Sequence, residues 1–180
     1  MQKIIKIAAG FGVGEVIVGQ NALLSTPAVS NLIIQLNKQE ADSCMGAILL
    51  TASHNPGGPD EDFGIKFNTP EGGPAPETIT DAVFAQSKEI NFFQSVPSLP
   101  EVDLGAIGET QCRVADSTFT VRVVDSTSAY VTLMQQLFDF DQIRTLLQRS
   151  DFNIRFDGMH GAAGPYARKI FVDELGVDAG

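Results

Sequence analysis

Short apolar runs of strand length alternate along the first half of the chain with longer segments whose apolar residues recur at helical spacing. The run GAILLT (46–51) is continuous, as buried parallel strands usually are, and EVIVG (15–19) and FGIKFN (63–68) also have strand character. Three helices are predicted: around 4–8, at 25–39 and from Pro76 to Ile90. Glycines at 10, 12 and 14 are expected to end the first of them. This alternation predicts a doubly wound α/β layer.

A second α/β unit is predicted to begin near residue 110. It follows a stretch with spaced prolines and little periodicity (91–108), which indicates a connector. The elements predicted beyond it are a strand at 118–126, helices at 128–140 and 141–149, a strand at 152–158 and a helix at 164–176.

The composition excludes some classes of partner. With 43% hydrophobic and 19% charged residues among 180, the chain has the core of a globular protein. Its net charge of −10 argues against nucleic acid or an anionic membrane as the main partner, because both are polyanions. No apolar run is long enough to span a bilayer, and Lys6 and Gly10 interrupt the apolar start too early for an export signal. We therefore expect a cytoplasmic protein in which Cys44 and Cys112 are free thiols.

The residues after the GAILLT run indicate chemistry. Ser53 follows a predicted buried strand, at the sheet edge where open α/β folds place their ligands, and His54 adjoins it. Gly57 and Gly58 leave backbone N–H groups uncovered for an anion, and Lys66 on the next strand can return to the same edge. A hydroxyl, an imidazole, an ammonium and bare amides suit phosphoryl transfer. From these residues alone, a polar turn with a solvated histidine is the alternative.

The segment TASHNPGGPDEDFGIKFNTPEGGPAPE (51–77) resembles the active-site region of the phosphoglucomutases, in the α-D-phosphohexomutase superfamily. VGQNALLSTPAVSNLI (18–33) and IRFDGMHGAAGPYARKI (154–170) are also similar to segments of that family. The loop GGPDEDFGIKFN followed by GGPAPE resembles the glucose-specific branch more than the phosphomannomutase or N-acetylglucosamine branches.

The resemblance implies a mixed, mainly parallel sheet with helices on both faces, followed by the start of a second α/β domain. Domain I would occupy 1–92 without the family's N-terminal strand, a connector 93–117, and the opening of domain II 118–180. The resemblance thus implies a fragment, which on its own would turn over substrate slowly or not at all.

The chemistry implied by the resemblance centres on Ser53, which would carry a phosphate and exchange it with the sugar. Glucose 1-phosphate and glucose 6-phosphate would be interconverted through glucose 1,6-bisphosphate, which serves as intermediate and activator. His54 and Lys66 would bind phosphate, move the proton of the sugar hydroxyl and stabilise charge on the phosphoryl group.

The resemblance also implies magnesium, bound to an oxygen of the phosphate on Ser53. The family's other ligands are three aspartates in an Asp-Gly-Asp-Gly-Asp-Arg loop, and this chain has no such run. The acidic residues 60–62 do not resemble a ligand set of the family, and His160 is expected to be structural.

Two further functional hypotheses stay open. One is a non-catalytic, parafusin-like phosphoprotein of the same family that acts through partner binding. The other is a hydrolase that uses Ser53 and His54, for which the sequence shows no acid to orient the histidine.

Overall fold

A computed structural model describes residues 1–178. Its helices and strands follow in chain order: α1 (Gln2–Gly10), β1 (Glu15–Gly19), α2 (Thr26–Gln39), β2 (Ala47–Thr51), β3 (Gly64–Asn68), α3 (Glu77–Glu89), β4 (Gly108–Val114), β5 (Ser117–Val124), α4 (Ser128–Leu137), α5 (Phe140–Leu147) and α6 (Gly164–Ala167). A 3₁₀ turn spans Gln20–Ala22, and π-type turns span Arg168–Glu174. No helix within residues 1–178 is long and apolar enough to cross a membrane.

The chain forms two compact units. The first unit contains Met1–Ser25 and the chain from Gln94 onward, and the second unit contains Thr26–Phe93. The predicted domain limits 1–92, 93–117 and 118–180 stay a prediction, and the last two residues of the third range lie outside the described residues.

A three-stranded mixed sheet in the order β1-β5-β4 forms the centre of the first unit. Strand β1 runs parallel to β5, and β4 pairs with β5 as an antiparallel hairpin. Alternate residues of β5 are buried, as expected for a strand with one face against a core. That core contains eight buried residues from α1, β1, β5 and the connector: Ile5, Ala9, Val18, Leu99, Val102, Phe119, Val121 and Val123.

Helix α1 closes over this core and ends where it approaches the connector. The apolar residues Ile5 and Ala9, one helical turn apart, are its two buried positions. A Cβ atom at Gly10 would lie 2.6 Å from the backbone nitrogen of Ser95, so only glycine fits at this helix end. The side chain of Gln2 donates a hydrogen bond to the Val102 carbonyl at 2.7 Å, which attaches the connector to the helix.

The second unit contains helix α2 and the antiparallel hairpin β2–β3. The buried Asn68 at the end of β3 donates hydrogen bonds to Ser30 Oγ at 3.2 Å and to the Gly72 carbonyl at 3.0 Å. Gly72 has a φ of +82°, and its Cβ would lie 2.7 Å from the Ser30 carbonyl oxygen. These contacts fix the turn after β3 against α2.

The mixed α/β fold class is confirmed, and the predicted helices and strands of the first half all form. The strand pairing is mixed and not mainly parallel as predicted, because β4 pairs antiparallel with β5 and β2 pairs antiparallel with β3. The run at 46–51 is a strand, as predicted, but it is not a buried parallel one. Strand β2 pairs antiparallel with β3, and its residue Ile48 is 60% exposed. Helix α3 forms as predicted but has no buried residue. Cys44 and Cys112 are free thiols, as predicted.

Two predictions for the second half are wrong, and one strand there has no prediction. Residues 152–158 form no strand, since the alternating pattern there has no ladder partner among the described residues and Phe156 is 51% exposed. The predicted helix at 164–176 consists of the short helix α6 and the π-type turns that follow. Strand β4 was not predicted, because its sequence GETQCRV is polar and forms the exposed edge of a hairpin.

Candidate active site

The loop between β2 and β3 carries Ser53 in a backbone conformation that is unusual for serine. Its φ is +58°, in the left-handed region, where a non-glycine residue costs roughly 1–2 kcal/mol. Two hydrogen bonds hold this turn: Asn55 N–H donates to the Ala52 carbonyl at 3.1 Å, and Ser53 N–H donates to Thr51 Oγ1 at 2.9 Å. The conformation therefore depends on the residues around Ser53.

Lys66 lies against the hydroxyl group of Ser53. Its ammonium Nζ donates a hydrogen bond to Ser53 Oγ at 2.8 Å. The hairpin register sets this approach, because Thr51 pairs with Gly64 and Leu49 pairs with Lys66 on the facing strand. Both side chains are exposed to solvent, so a phosphorylated molecule can reach them directly.

His54 is exposed beside Ser53 and has no hydrogen bond to any residue between 1 and 178. No carboxylate in this part of the chain therefore orients the imidazole, as a serine hydrolase would need. The imidazole is free to contact a bound molecule at the same face of the loop. The structure thus joins Ser53 and Lys66 by a hydrogen bond and leaves His54 as their unpaired neighbour, while the catalytic roles of all three stay a prediction.

The far side of the loop is closed by Asp62. Asn55 Nδ2 donates to Asp62 Oδ2 at 2.5 Å, and Asp62 N–H donates to the Pro56 carbonyl at 3.1 Å. Gly57 also forms a bridge with Asp62. One of the three acidic residues at 60–62 therefore has a clear structural role, since it shapes the turn that contains the two loop glycines.

The described residues do not complete a magnesium site. Magnesium takes oxygen ligands in near-octahedral geometry, usually from carboxylates, phosphates and water. A phosphate on Ser53 would supply one such oxygen, but no group of three potential metal-binding side chains occurs within residues 1–178. The three carboxylates at 60–62 make the loop negatively charged. The cation that contacts Ser53 is the ammonium group of Lys66.

Two contacts of the site escaped the sequence analysis. The sequence pattern indicates only that Thr51 ends a strand and that Asp62 belongs to an acidic run. A threonine two residues before a serine at a strand end is a known pattern for a side-chain to backbone hydrogen bond, and it was the available signal for Thr51. The Asn55–Asp62 contact depends on the loop closing and has no comparable signal.

Comparisons with known proteins identify the family of the chain. Residues 1–94 match the family described as phosphoglucomutase/phosphomannomutase, alpha/beta/alpha domain I. The chain is 51% identical over 177 residues to a cytoplasmic phosphoglucomutase of Bromus inermis, covering 98% of this chain and 30% of that protein. It is also 51% identical over 178 residues to a phosphoglucomutase of Emericella nidulans, with the same two coverages.

A solved structure supports the same assignment. The open form of the exocytosis-sensitive phosphoprotein pp63/parafusin, a phosphoglucomutase from Paramecium, matches with a TM-score of 0.90 and 44% identity. The match covers 98% of this chain and 32% of that one. The chain thus spans about 30% of the length of the curated relatives it matches. It belongs to the phosphoglucomutase/phosphomannomutase family.

Proposed function

We propose that this chain carries the phosphoserine segment of a phosphoglucomutase. Its substrates would be glucose 1-phosphate and glucose 6-phosphate, interconverted through a phosphate on Ser53 and glucose 1,6-bisphosphate. The observation that carries this proposal is the 2.8 Å hydrogen bond from Lys66 Nζ to Ser53 Oγ. A positive group on that oxygen is what a serine needs in order to act as the leaving group of a phosphoryl transfer.

The first transfer moves the phosphoryl group from Ser53 to the sugar. The bond between phosphorus and Ser53 Oγ breaks as a bond forms between phosphorus and a hydroxyl oxygen of glucose 1-phosphate. Lys66 stabilises the negative charge that develops on Oγ, and the unpaired imidazole of His54 accepts the proton of the sugar hydroxyl. The products are glucose 1,6-bisphosphate, a Ser53 alkoxide whose charge Lys66 stabilises, and a protonated His54.

The second transfer is the reverse chemistry on the other phosphate. Ser53 Oγ attacks the phosphorus at position 1 of the bisphosphate, and the proton held by His54 goes to the departing sugar oxygen. Glucose 6-phosphate leaves, and the phosphate is again on Ser53. One serine thus divides a difficult transfer between two sugar positions into two transfers at a single centre.

The charge of the loop limits what this chain does alone. A sugar phosphate that approaches Ser53 meets Lys66 and also the three carboxylates at 60–62. Phosphate recognition of useful strength therefore needs further cations. We expect the isolated chain to accept phosphate on Ser53 and to convert one glucose phosphate into the other slowly or not at all.

The proposed localisation and partners rest on the relatives and on the charge of the chain. Cytoplasmic localisation is supported by the names of the plant relatives, and a phosphorylated hexose by the family itself. The net charge of −10 argues against nucleic acid and anionic membranes as partners. Magnesium stays a prediction, and none of the steps above depends on it. The non-catalytic phosphoprotein hypothesis is not favoured, since a serine modified only for recognition has no need of an ammonium group on its oxygen.

The first test is a peptide-level mass spectrum of the endogenous protein, recovered from its source cells with an antibody to this chain. We expect phosphate on Ser53. An unmodified Ser53 in a protein that nevertheless interconverts the two glucose phosphates would overturn the proposal.

The second test uses the purified chain and glucose 1,6-bisphosphate as phosphate donor, followed by mass spectrometry. Ser53→Ala is expected to abolish uptake of phosphate, whereas Ser87→Ala, at an exposed serine of α3, leaves it unchanged. Lys66→Met is expected to slow uptake by about 10²-fold, the effect of losing one charge-stabilising group, and Lys88→Met is its matched control. Equal uptake by the wild type and Ser53→Ala contradicts the assignment.

A further inference from the structure

We propose that Thr51 is a positioning residue whose hydroxyl oxygen holds Ser53 against Lys66. Thr51 Oγ1 accepts the hydrogen bond of Ser53 N–H at 2.9 Å. The catalytic meaning of this contact rests on the function proposed above, whereas the contact itself is a property of this chain alone.

Ser53 has a φ of +58°, which is disfavoured for serine, and the hydrogen bond to Thr51 fixes the peptide plane from which this conformation starts. In a more common conformation, the Cα–Cβ bond would point elsewhere and Oγ would leave Lys66. The turn hydrogen bond from Asn55 N–H to the Ala52 carbonyl fixes the ends of the turn but makes no contact with Ser53 itself. The hydrogen bond to Thr51 acts on the residue that carries the hydroxyl.

Thr51 is well placed for this role because the sheet holds it rigidly. It is the last residue of β2, it is partly buried, and it pairs with Gly64. A Cβ atom at Gly64 would lie 2.7 Å from the Thr51 carbonyl oxygen, so the two backbones approach closely at this pair. Threonine is also β-branched, which restricts rotation about its first side-chain bond. The acceptor oxygen is thus fixed with respect to the strands.

The same hairpin supplies Lys66 from the facing strand, in the register that pairs Leu49 with Lys66. The Lys66 ammonium and the Ser53 hydroxyl are therefore both positioned by the β2–β3 pair. Thr51 is the link that transfers the strand geometry to Ser53, which lies beyond the last residue of β2.

The test compares three variants of the full chain. Thr51→Val has the same shape but no acceptor oxygen, and Thr51→Ser keeps the oxygen. Thr110→Val, at another partly buried strand threonine in β4, is the matched control. The first readout is amide hydrogen exchange of Ser53 by NMR. We expect exchange about 10-fold faster in Thr51→Val, wild-type exchange in Thr51→Ser and Thr110→Val, and unchanged exchange at the other β2 amides.

The second readout is the rate of phosphate uptake on Ser53 from glucose 1,6-bisphosphate. In Thr51→Val the saturating rate is expected to fall about 10-fold, while the half-saturating donor concentration stays the same, because the Thr51 hydroxyl acts on Ser53 through its hydrogen bond. Thr51→Ser is expected to restore the rate. A merely structural role would not separate the two kinetic parameters in this way.

The outcomes distinguish this inference from the proposed function. Unchanged Ser53 exchange in Thr51→Val overturns the positioning role, whatever the phosphate uptake. Failure of Thr51→Ser to restore exchange also overturns it, since the effect would then come from disturbance of the strand. Faster exchange in Thr51→Val, with no phosphate uptake by the wild type, supports the positioning role and contradicts the phosphoserine assignment.

Discussion

Replacement of Asp125 by asparagine is expected to destabilise the first unit by about 1 kcal/mol at neutral pH. Asp125 follows β5, and its Oδ1 accepts hydrogen bonds from Thr127 N–H at 2.7 Å, Thr127 Oγ1 at 2.8 Å and Ser128 N–H at 2.7 Å. Partial burial alone would raise the pKa of Asp125, but these hydrogen bonds outweigh it and lower the pKa from 3.8 to about 2. The carboxylate thus stabilises the start of α4 in its charged form.

The magnitude follows from this lowered pKa. The difference between 3.8 and about 2 corresponds to at most about 2.5 kcal/mol, and solvent screening of this exposed side chain reduces it to about 1 kcal/mol. Because the folded-state pKa is lowered, the stabilisation is fully present above the unfolded pKa near 4. It is lost as the pH falls through the folded-state pKa of about 2, below which the carboxylate is protonated in both states. The difference between wild type and variant is therefore constant from pH 5 to 7 and shrinks below pH 4.

Tyrosine fluorescence during urea unfolding measures this effect selectively. The chain has two tyrosines and no tryptophan, and both tyrosines lie in the first unit, with the rings of Tyr130 and Tyr166 in edge-to-face contact at 5.4 Å. Asp116→Asn is the control. The Asp116 carboxylate is fully exposed, and its ion pair with Arg113 is long, at 3.9 Å, so its loss should change the stability little. An Asp125→Asn difference that stays constant down to pH 3, or one no larger than that of Asp116→Asn, refutes the reasoning.

Three further predictions concern the core, a turn and the site. Phe119→Ala, at a 2% exposed core position of the first unit, is expected to destabilise that unit by about 3–5 kcal/mol in the tyrosine assay, and a smaller loss than Val121→Ala would contradict the core assignment. Gly72→Ala is expected to destabilise the second unit by at least about 1–2 kcal/mol because of its φ of +82° and the close Ser30 carbonyl; urea titration followed by NMR signals of β2 and β3 measures this, and Gly73→Ala, which has open space, is the control. Ser53→Gly is expected to stabilise the hairpin by up to about 1 kcal/mol, since glycine adopts the left-handed region freely, while phosphate uptake is abolished; destabilisation in the same NMR titration would show that Ser53 is not strained.

The sequence was most informative where the structure is local. Ser53 and Lys66 are 13 residues apart in one hairpin, so strand patterning and turn residues were enough to predict that the two groups return to the same edge. Whether a segment forms a strand was less predictable where this depends on a pairing partner distant in the sequence. The apolar alternation at 152–158 lacks a ladder partner within the described residues, whereas the polar strand β4 forms because the hairpin brings it against β5.

The finer geometry of the site depends on information that patterns do not contain. The hydrogen bond from Ser53 N–H to Thr51 has a signal in the sequence, but the left-handed backbone of Ser53 has none, because no propensity favours that conformation for serine. The contact between Asn55 and Asp62 requires the loop to close on itself, and it gives one carboxylate of an apparently solvated acidic run a defined partner. Such contacts depend on several weak hydrogen bonds and backbone preferences that act together only in the folded loop.

The contact between Ser53 and Lys66 is contained within one short hairpin. Two antiparallel strands and one loop supply the Ser53 hydroxyl, the Lys66 ammonium that donates to it and the Thr51 hydroxyl that accepts from Ser53 N–H. A graft of this hairpin onto an unrelated antiparallel ribbon, with the Thr51–Gly64 pair preserved, is a route to a designed protein with a serine already set against an ammonium group.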